Sequence, residues 1–356
     1  MATVTTKVVN YLDANGISAA CKQAILPLLN PLAVLSVTSQ TIRVVWDYLS
    51  GAQNSSACVG AVATFAGGVS YGAGSGPYDV TSSDFNGDGK PDLAVTDSGS
   101  TTASVLLGKG DGTFGAAVNY GVGLGPTGIA TADFNRDGKA DLAVANWASN
   151  DVSILLGKGD GTFRAAVNYT VGTNPLYVDI SDFNKDGRLD LAVTNFDSGT
   201  VSILLGIGNG TFQGTINYGA GSVPRIISIG DFNKDGNLDL AVVDVDLKNV
   251  AILLGAGDGS FQVAGNYGVG SAPLGIVTDD FNADGKADLA VTDNGAGSSI
   301  SVLLGKGDGT FQGAVKYVVG SRPCGIVTDD FNLDGKPDLA IANEGPDTVT
   351  VLLNSG

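Results

Sequence analysis

Six times along the chain the same nine-residue string recurs, Asp-x-Asn-x-Asp-Gly-x-x-Asp. Its positions 1, 3, 5, 7 and 9 are Asp84, Asn86, Asp88, Lys90 and Asp92 in the first copy, and Asp133, Asn135, Asp137, Lys139 and Asp141 in the second. The third and fourth copies carry Asp182, Asn184, Asp186, Arg188, Asp190 and Asp231, Asn233, Asp235, Asn237, Asp239. The fifth and sixth carry Asp280, Asn282, Asp284, Lys286, Asp288 and Asp330, Asn332, Asp334, Lys336, Asp338. In such a loop the side chains at positions 1, 3 and 5 converge on one point. Glycine at position 6 permits the sharp turn, position 7 offers its backbone carbonyl, and Asp at position 9 closes the shell. This is the oxygen-only chemistry of Ca²⁺, which takes about 6–8 ligands. The first half matches an EF-hand loop, but the closing carboxylate comes at position 9 rather than 12 and no flanking helices are expected.

Other metals fit less well. Mg²⁺ demands near-ideal octahedral geometry and retains its waters. Zinc and copper favour imidazole or thiolate, and the chain has no His and no Cys in any loop. Three carboxylates around one point also repel one another unless a cation sits among them. The loops hold 18 of the 36 acidic residues, so six divalent ions would take the formal charge from -17 to -5. The expectation is about six Ca²⁺, one per copy.

The loops are part of a longer repeat. Successive copies begin at Asp84, Asp133, Asp182, Asp231, Asp280 and Asp330, spaced 49 residues apart and once 50. A Tyr keeps the same step at Tyr71, Tyr120, Tyr169, Tyr218, Tyr267 and Tyr317, and a Pro follows each, from Pro77 to Pro323. Within the second unit, residues 128–134, 141–145, 152–156 and 163–169 read as four short strands bounded by Gly, Asn or Asp. Gly159 to Gly161 supplies a hairpin turn. Four antiparallel strands in a repeat of this length predict an all-β fold, the blade of a β-propeller.

Six blades are expected, over residues 61–356. The sixth unit runs only as far as a third strand, at Thr348 to Leu353, while residues 63–71 (ATFAGGVSY) match the fourth-strand segment 112–120 (GTFGAAVNY). The N-terminal strand 63–71 is therefore expected to complete the last blade and close the ring. A seventh blade results if residues 1–60 form a degenerate one. That region lacks the repeat and places Val4, Val8, Val9 and Leu12 at helical spacing, as it does Ile42, Val45, Trp46 and Leu49. It reads as a small helical cap, or as a docking segment through which the chain forms homo-oligomers.

Composition narrows the function classes. With 53 Gly, one Met and the single Glu344, turns outnumber long helices. No basic stripe exists to neutralise phosphates, which argues against nucleic acid. The longest apolar stretch, Ala24 to Val37, is broken by Pro27 and Pro31 and is too short to span a membrane. Lys7, Asn10 and Asp13 make Met1 onward a poor signal peptide. Three cysteines do not make a disulfide scaffold, although Cys21 and Cys58 could pair.

At this point the residues resemble a known family. The loops, together with Tyr71-Gly72 and Gly76-Pro77, look like the FG-GAP or VCBS repeat proteins, whose best-known members are the integrin α-subunit propellers. The resemblance covers residues 62–356. It implies calcium-dependent adhesion, carbohydrate binding or a scaffold domain of a secreted protein, and hence an extracellular or cell-surface location. Integrin propellers have seven blades with calcium in only some of them. Here six copies each carry a loop, so the integrin ligand site does not transfer.

The loops joining strands 2 and 3 vary most between repeats, and variable loops on a regular scaffold are where ligands bind. Trp147 and Phe196 lie there and could stack on a sugar ring, with neighbouring Asn and Asp as hydrogen-bond partners. Arg225 and Arg322, beside Pro224 and Pro323, could pair with an acidic ligand. The catalytic case is thin, since without His the commonest general base is missing. The leading expectation is thus a non-catalytic binding module for a glycan or protein ligand. Its rivals are a structural subunit assembled through residues 1–60 and a polysaccharide lyase.

Overall fold

A computed structural model describes residues 69–356. Tyr71–Gly356 forms one unit made wholly of strands and their connections. The helical segment expected over residues 1–60, and residues 63–68 of the expected N-terminal strand, lie outside the described residues. Val69 to Tyr71, the described part of that strand, is in no strand.

The first sheet comprises β1 (Pro77–Ser83), β2 (Asp92–Asp97), β3 (Thr102–Leu106) and β4 (Val118–Gly121). The second is β5 (Pro126–Ala132), β6 (Asp141–Asn146), β7 (Asp151–Leu155) and β8 (Val167–Thr170). The third is β9 (Pro175–Ser181), β10 (Asp190–Asn195), β11 (Thr200–Leu204) and β12 (Ile216–Gly219). Next come β13 (Pro224–Gly230), β14 (Asp239–Asp244), β15 (Asn249–Gly255) and β16 (Phe261–Gly268). The fifth is β17 (Pro273–Asp279), β18 (Asp288–Asp293), β19 (Ser299–Leu303) and β20 (Val315–Val318). The sixth has three strands, β21 (Pro323–Asp329), β22 (Asp338–Asn343) and β23 (Thr348–Leu352).

Every sheet is an antiparallel meander in sequence order, which fits a propeller blade. Each first strand slips register just after its proline, which has no amide to donate to the ladder. Apart from β16, the fourth strands are shorter than the sequence suggests. In the second blade β8 begins at Val167, and Phe163 keeps only an isolated bridge to Gly157.

The cores lie between consecutive sheets. One cluster joins Ala145 and Ile154 of the second blade to Leu191, Val193 and Leu204 of the third, and equivalent clusters join the other neighbours. A sheet covered on both faces needs apolar side chains in both directions. Accordingly β6, β10, β14 and β18 are buried at every residue. The end blades differ. Tyr78 and Val80 on β1 are 53% and 56% exposed, whereas Ile129 on β5 is 7% exposed.

Candidate functional site

The repeated loops connect first to second strands, and all six fold alike. In the first, the amide of Asp88 donates to Asp84 Oδ1 at 3.2 Å and to Asn86 Oδ1 at 2.9 Å. Gly89 N donates to Asp84 Oδ2 at 2.7 Å, and Gly89 has φ +78°. The same pair of oxygens shares one amide in each of the other five loops. Side-chain oxygens from positions 1 and 3 are thereby held on one side of the turn.

Position 9 opens the second strand and is fully buried in every copy. Asp141 accepts from Phe134 N at 3.0 Å and from Gly157 N at 2.7 Å, so one carboxylate ties the loop to the hairpin after the third strand. Asp92, Asp190, Asp239 and Asp288 make the same two contacts, and Asp338 bonds Phe331 N and Asn354 N. Burial pushes Asp141, Asp190, Asp239 and Asp288 up to about 6 against the pull of these amides. The carboxylates at positions 5 and 1 of the same loop raise them further. The closing group therefore feels the like charge of its two neighbours.

Position 7 supplies a cation in most copies. Lys90 and Lys286 pair with Asp88 and Asp284 at 3.1 and 2.8 Å, and Arg188 pairs with Asp186 at 3.4 Å. The ammonium of Lys90 is the chief reason that Asp88 titrates below the usual carboxylate range, and Lys286 acts likewise on Asp284. Among the described residues no three acidic side chains gather closely enough to enclose an ion. The donor set fits a hard divalent cation in kind and in sidedness. Its carboxylates accept from backbone amides and from the position-7 ammonium groups.

The opposite ends of the sheets carry the connections between second and third strands. There Trp147 of the second blade meets Phe196 of the third with ring centroids 5.1 Å apart, and both rings are half-buried. With its amide turned to suit its neighbours, Asn174 accepts from the Trp147 indole N–H and donates to Asp197 at 3.1 Å. Thr194, two residues before Phe196, donates to the backbone carbonyl of Arg225. Arg322 is spent on Glu344 of its own blade, at 2.8 Å.

Asp97, Asn146, Asn195, Asp244, Asp293 and Asn343, which start these loops, are buried at 0–3% exposure. Asp97 accepts from Gly74 N at 2.9 Å and from the hydroxyls of Thr102 and Ser104, each at 2.8 Å, so it fixes how the chain enters the blade. The sequence reading also passed over the innermost strands. On β9, Tyr177 is pushed up to about 12 by burial and then by Asp179 and Asp79, and burial raises Asp179 itself. Asp79 stands two residues after Pro77 and Asp179 four after Pro175, so the two share no repeat phase that would have flagged them.

Known proteins place this architecture. An N-terminal BBS1 fragment, crystallised with ARL6, has 15% identity and a TM-score of 0.53 over 77% of each chain. A Lactobacillus plantarum protein reaches 0.59 at 16% identity, over 79% of this chain and 81% of its own. A Bacteroides fragilis protein described as a candidate 6-phosphogluconolactonase reaches 0.57 at 13% identity, over 76% and 78%. At such identities the likeness is one of fold alone. Curated protein sequences gave no match. Five overlapping stretches, residues 84–144, 133–193, 182–242, 231–291 and 280–341, match the model of the FG-GAP-like repeat. Since these stretches run across most of the propeller, the chain belongs to the FG-GAP-like repeat family.

Proposed function

We propose that this chain is a calcium-stabilised, non-catalytic binding module that takes a glycan on the face opposite its carboxylate loops. Division of labour between the two ends of the blades supports the reading. One end repeats a single loop six times, as a structural device would. The other end varies, and there two neighbouring blades present a paired Trp147 and Phe196 beside Asp197. The Trp147–Phe196 pair is the observation that carries it, since half-buried aromatic rings next to carboxylate and amide groups suit a sugar's apolar faces and hydroxyls. Calcium sites of this kind fill where the ion is abundant, which fits extracellular or cell-surface work.

The test is a glycan array followed by calorimetry on the best hit, with the protein in calcium. Trp147→Ala is expected to weaken binding at least about tenfold, equivalent to about 1.4 kcal/mol. The variant should melt like the parent. Binding that is indifferent to both Trp147→Ala and Phe196→Ala would move the site elsewhere. Absence of any glycan ligand removes the lectin reading.

A further inference from the structure

Position 4 of every Asp-rich loop has a left-handed backbone. Its occupants are Gly87, Arg136, Lys185, Lys234, Ala283 and Leu333, with φ between 56° and 74°. Five of the six are not glycine, although side chains rarely take this conformation. In the three consecutive loops where the residue is basic, its head group arrives at the loop of the next blade. The Arg136 guanidinium donates from Nη2 to the carbonyl of Gly187, at position 6 of the third loop.

The glycines at position 6 record this reach. A Cβ on Gly187, Gly236 or Gly285 would stand 3.2, 3.8 or 3.7 Å from Arg136 Nη2, Lys185 Nζ and Lys234 Nζ respectively. The same addition to Gly138 or Gly335 would meet open space among the described residues, because the preceding loops carry Gly87 and Ala283. Each approached glycine also donates its amide to the position-1 carboxylate, Gly187 to Asp182, Gly236 to Asp231 and Gly285 to Asp280, at 2.7, 2.9 and 2.7 Å. The arriving charge therefore sits beside the acidic groups of that loop.

Cations from positions 4 and 7 add up unequally. The third loop has its own Arg188 and receives Arg136, and the fifth has Lys286 and receives Lys234. In the fifth blade the two lysine stems converge, since a Cβ on Gly307 would lie 3.0 Å from Lys286 Cδ and 3.2 Å from Lys234 Cδ. The fourth loop has Asn237 at position 7, so Lys185 from the third blade is its one cation of this kind. The first, second and sixth loops have Lys90, Lys139 and Lys336 alone. Three carboxylates thus face two cations in the third and fifth loops and one cation in the other four.

We propose that the position-4 cation of one blade sets the calcium affinity of the next, so that the third and fifth loops hold the ion more weakly than the other four. This rests on the calcium reading above and adds a graded response to it. Affinity in oxygen-lined loops follows the net charge of the shell, and a fixed cation repels a divalent ion arriving among the same carboxylates. The chain then fills in two steps, four ions first and two at higher calcium. Without calcium the same side chains act in the opposite sense, offsetting the mutual repulsion of the carboxylates.

The test is a calcium titration by calorimetry of full-length, chelator-stripped protein at low salt. The parent is expected to show four tight sites and two weaker by about tenfold. Arg136→Gln with Lys234→Gln should tighten the weak pair about tenfold and merge the six sites into one class, while Lys234→Arg should keep its site weak. Ala283→Lys places a second cation at the sixth loop, in the backbone conformation Lys234 already adopts, and should give three tight and three weak sites. Asp182→Asn with Asp280→Asn should abolish the weak pair and leave four tight sites. In EGTA at low salt the Gln double variant should melt below the parent, opposite in sign to its gain in calcium affinity; a residue with only a structural role would not tighten calcium. All three position-4 side chains are exposed, so these variants are expected to fold. One class of sites in the parent, or an isotherm unmoved by both the Gln pair and Ala283→Lys, overturns the proposal and leaves calcium binding intact. No calcium uptake at all overturns the calcium reading and this proposal with it.

Discussion

At the scale of single residues, the Asp at loop position 9 and the Asp at position 5 belong to different physics. Asp141 is buried and accepts two backbone amides, so Asp141→Ala strands both donors away from water. The expected loss is about 3 kcal/mol without calcium and larger with it, measured by urea denaturation. Asp137 is exposed, and Asp137→Ala should leave the metal-free midpoint nearly unchanged while weakening calcium binding in calorimetry. Equal effects of the two variants on metal-free stability would contradict this division. The raised carboxylates also set a pH dependence. Asp141, Asp190, Asp239 and Asp288 lie at about 6 in the folded chain against an ordinary 3.8. The native state then holds more protons than the unfolded one between about pH 4 and 6, and stability falls as pH rises through that window. Asp111, Asp160 and Asp308, held below 3.8 by threonine hydroxyls, lose their contribution only at lower pH. In EGTA, Tm should be higher at about pH 4.5 than at about pH 7. Calcium should shrink the difference, because the ion favours the ionised form. A metal-free Tm that climbs over this range would refute the assignment.

At the scale of elements, the blades are held to one another by apolar strands and by rings rather than by ion pairs. Phe212 is 6% exposed and touches both Phe134 and Tyr169 across the second interface. Removing it deletes a large buried side chain and two edge-on aromatic contacts. Phe212→Ala is expected to cost about 3–5 kcal/mol in chemical denaturation, far more than breaking the surface pair of Lys90 and Asp88. The glycines after the third strands have an equally local reason. A Cβ on Gly157 would stand 2.2 Å from the carbonyl oxygen of Ala140, so the backbones of the Asp-rich loop and the hairpin approach too closely for any side chain.

At the scale of the whole molecule, charge dominates. A net charge of -17 on one chain opposes compaction, and half of the acidic residues sit in six loops on one end of the blades. If those loops hold calcium as proposed, saturating calcium stabilises by roughly 2.7 kcal/mol per site at a hundred times Kd. Withdrawing the ion with EGTA should then lower Tm by at least about 10 °C at neutral pH. Scanning calorimetry in calcium and in EGTA measures this, and coincident melting curves would remove calcium from the account.

The repeat, the strand phase, the hairpins and the oxygen character of the loops were all legible in the sequence, because a step of 49 residues fixes local chemistry without reference to distant contacts. The loop turn and strand starts such as Asp141 needed no more than a nine-residue window. Tertiary structure alone decided which side each polar group faces. Asp97 and Asn146 start exposed-sounding polar loops, yet packing of the incoming chain buries them, and Trp147 finds Phe196 only because two blades 49 residues apart lie side by side. Burial depends on neighbours distant along the chain, so no local pattern encodes it.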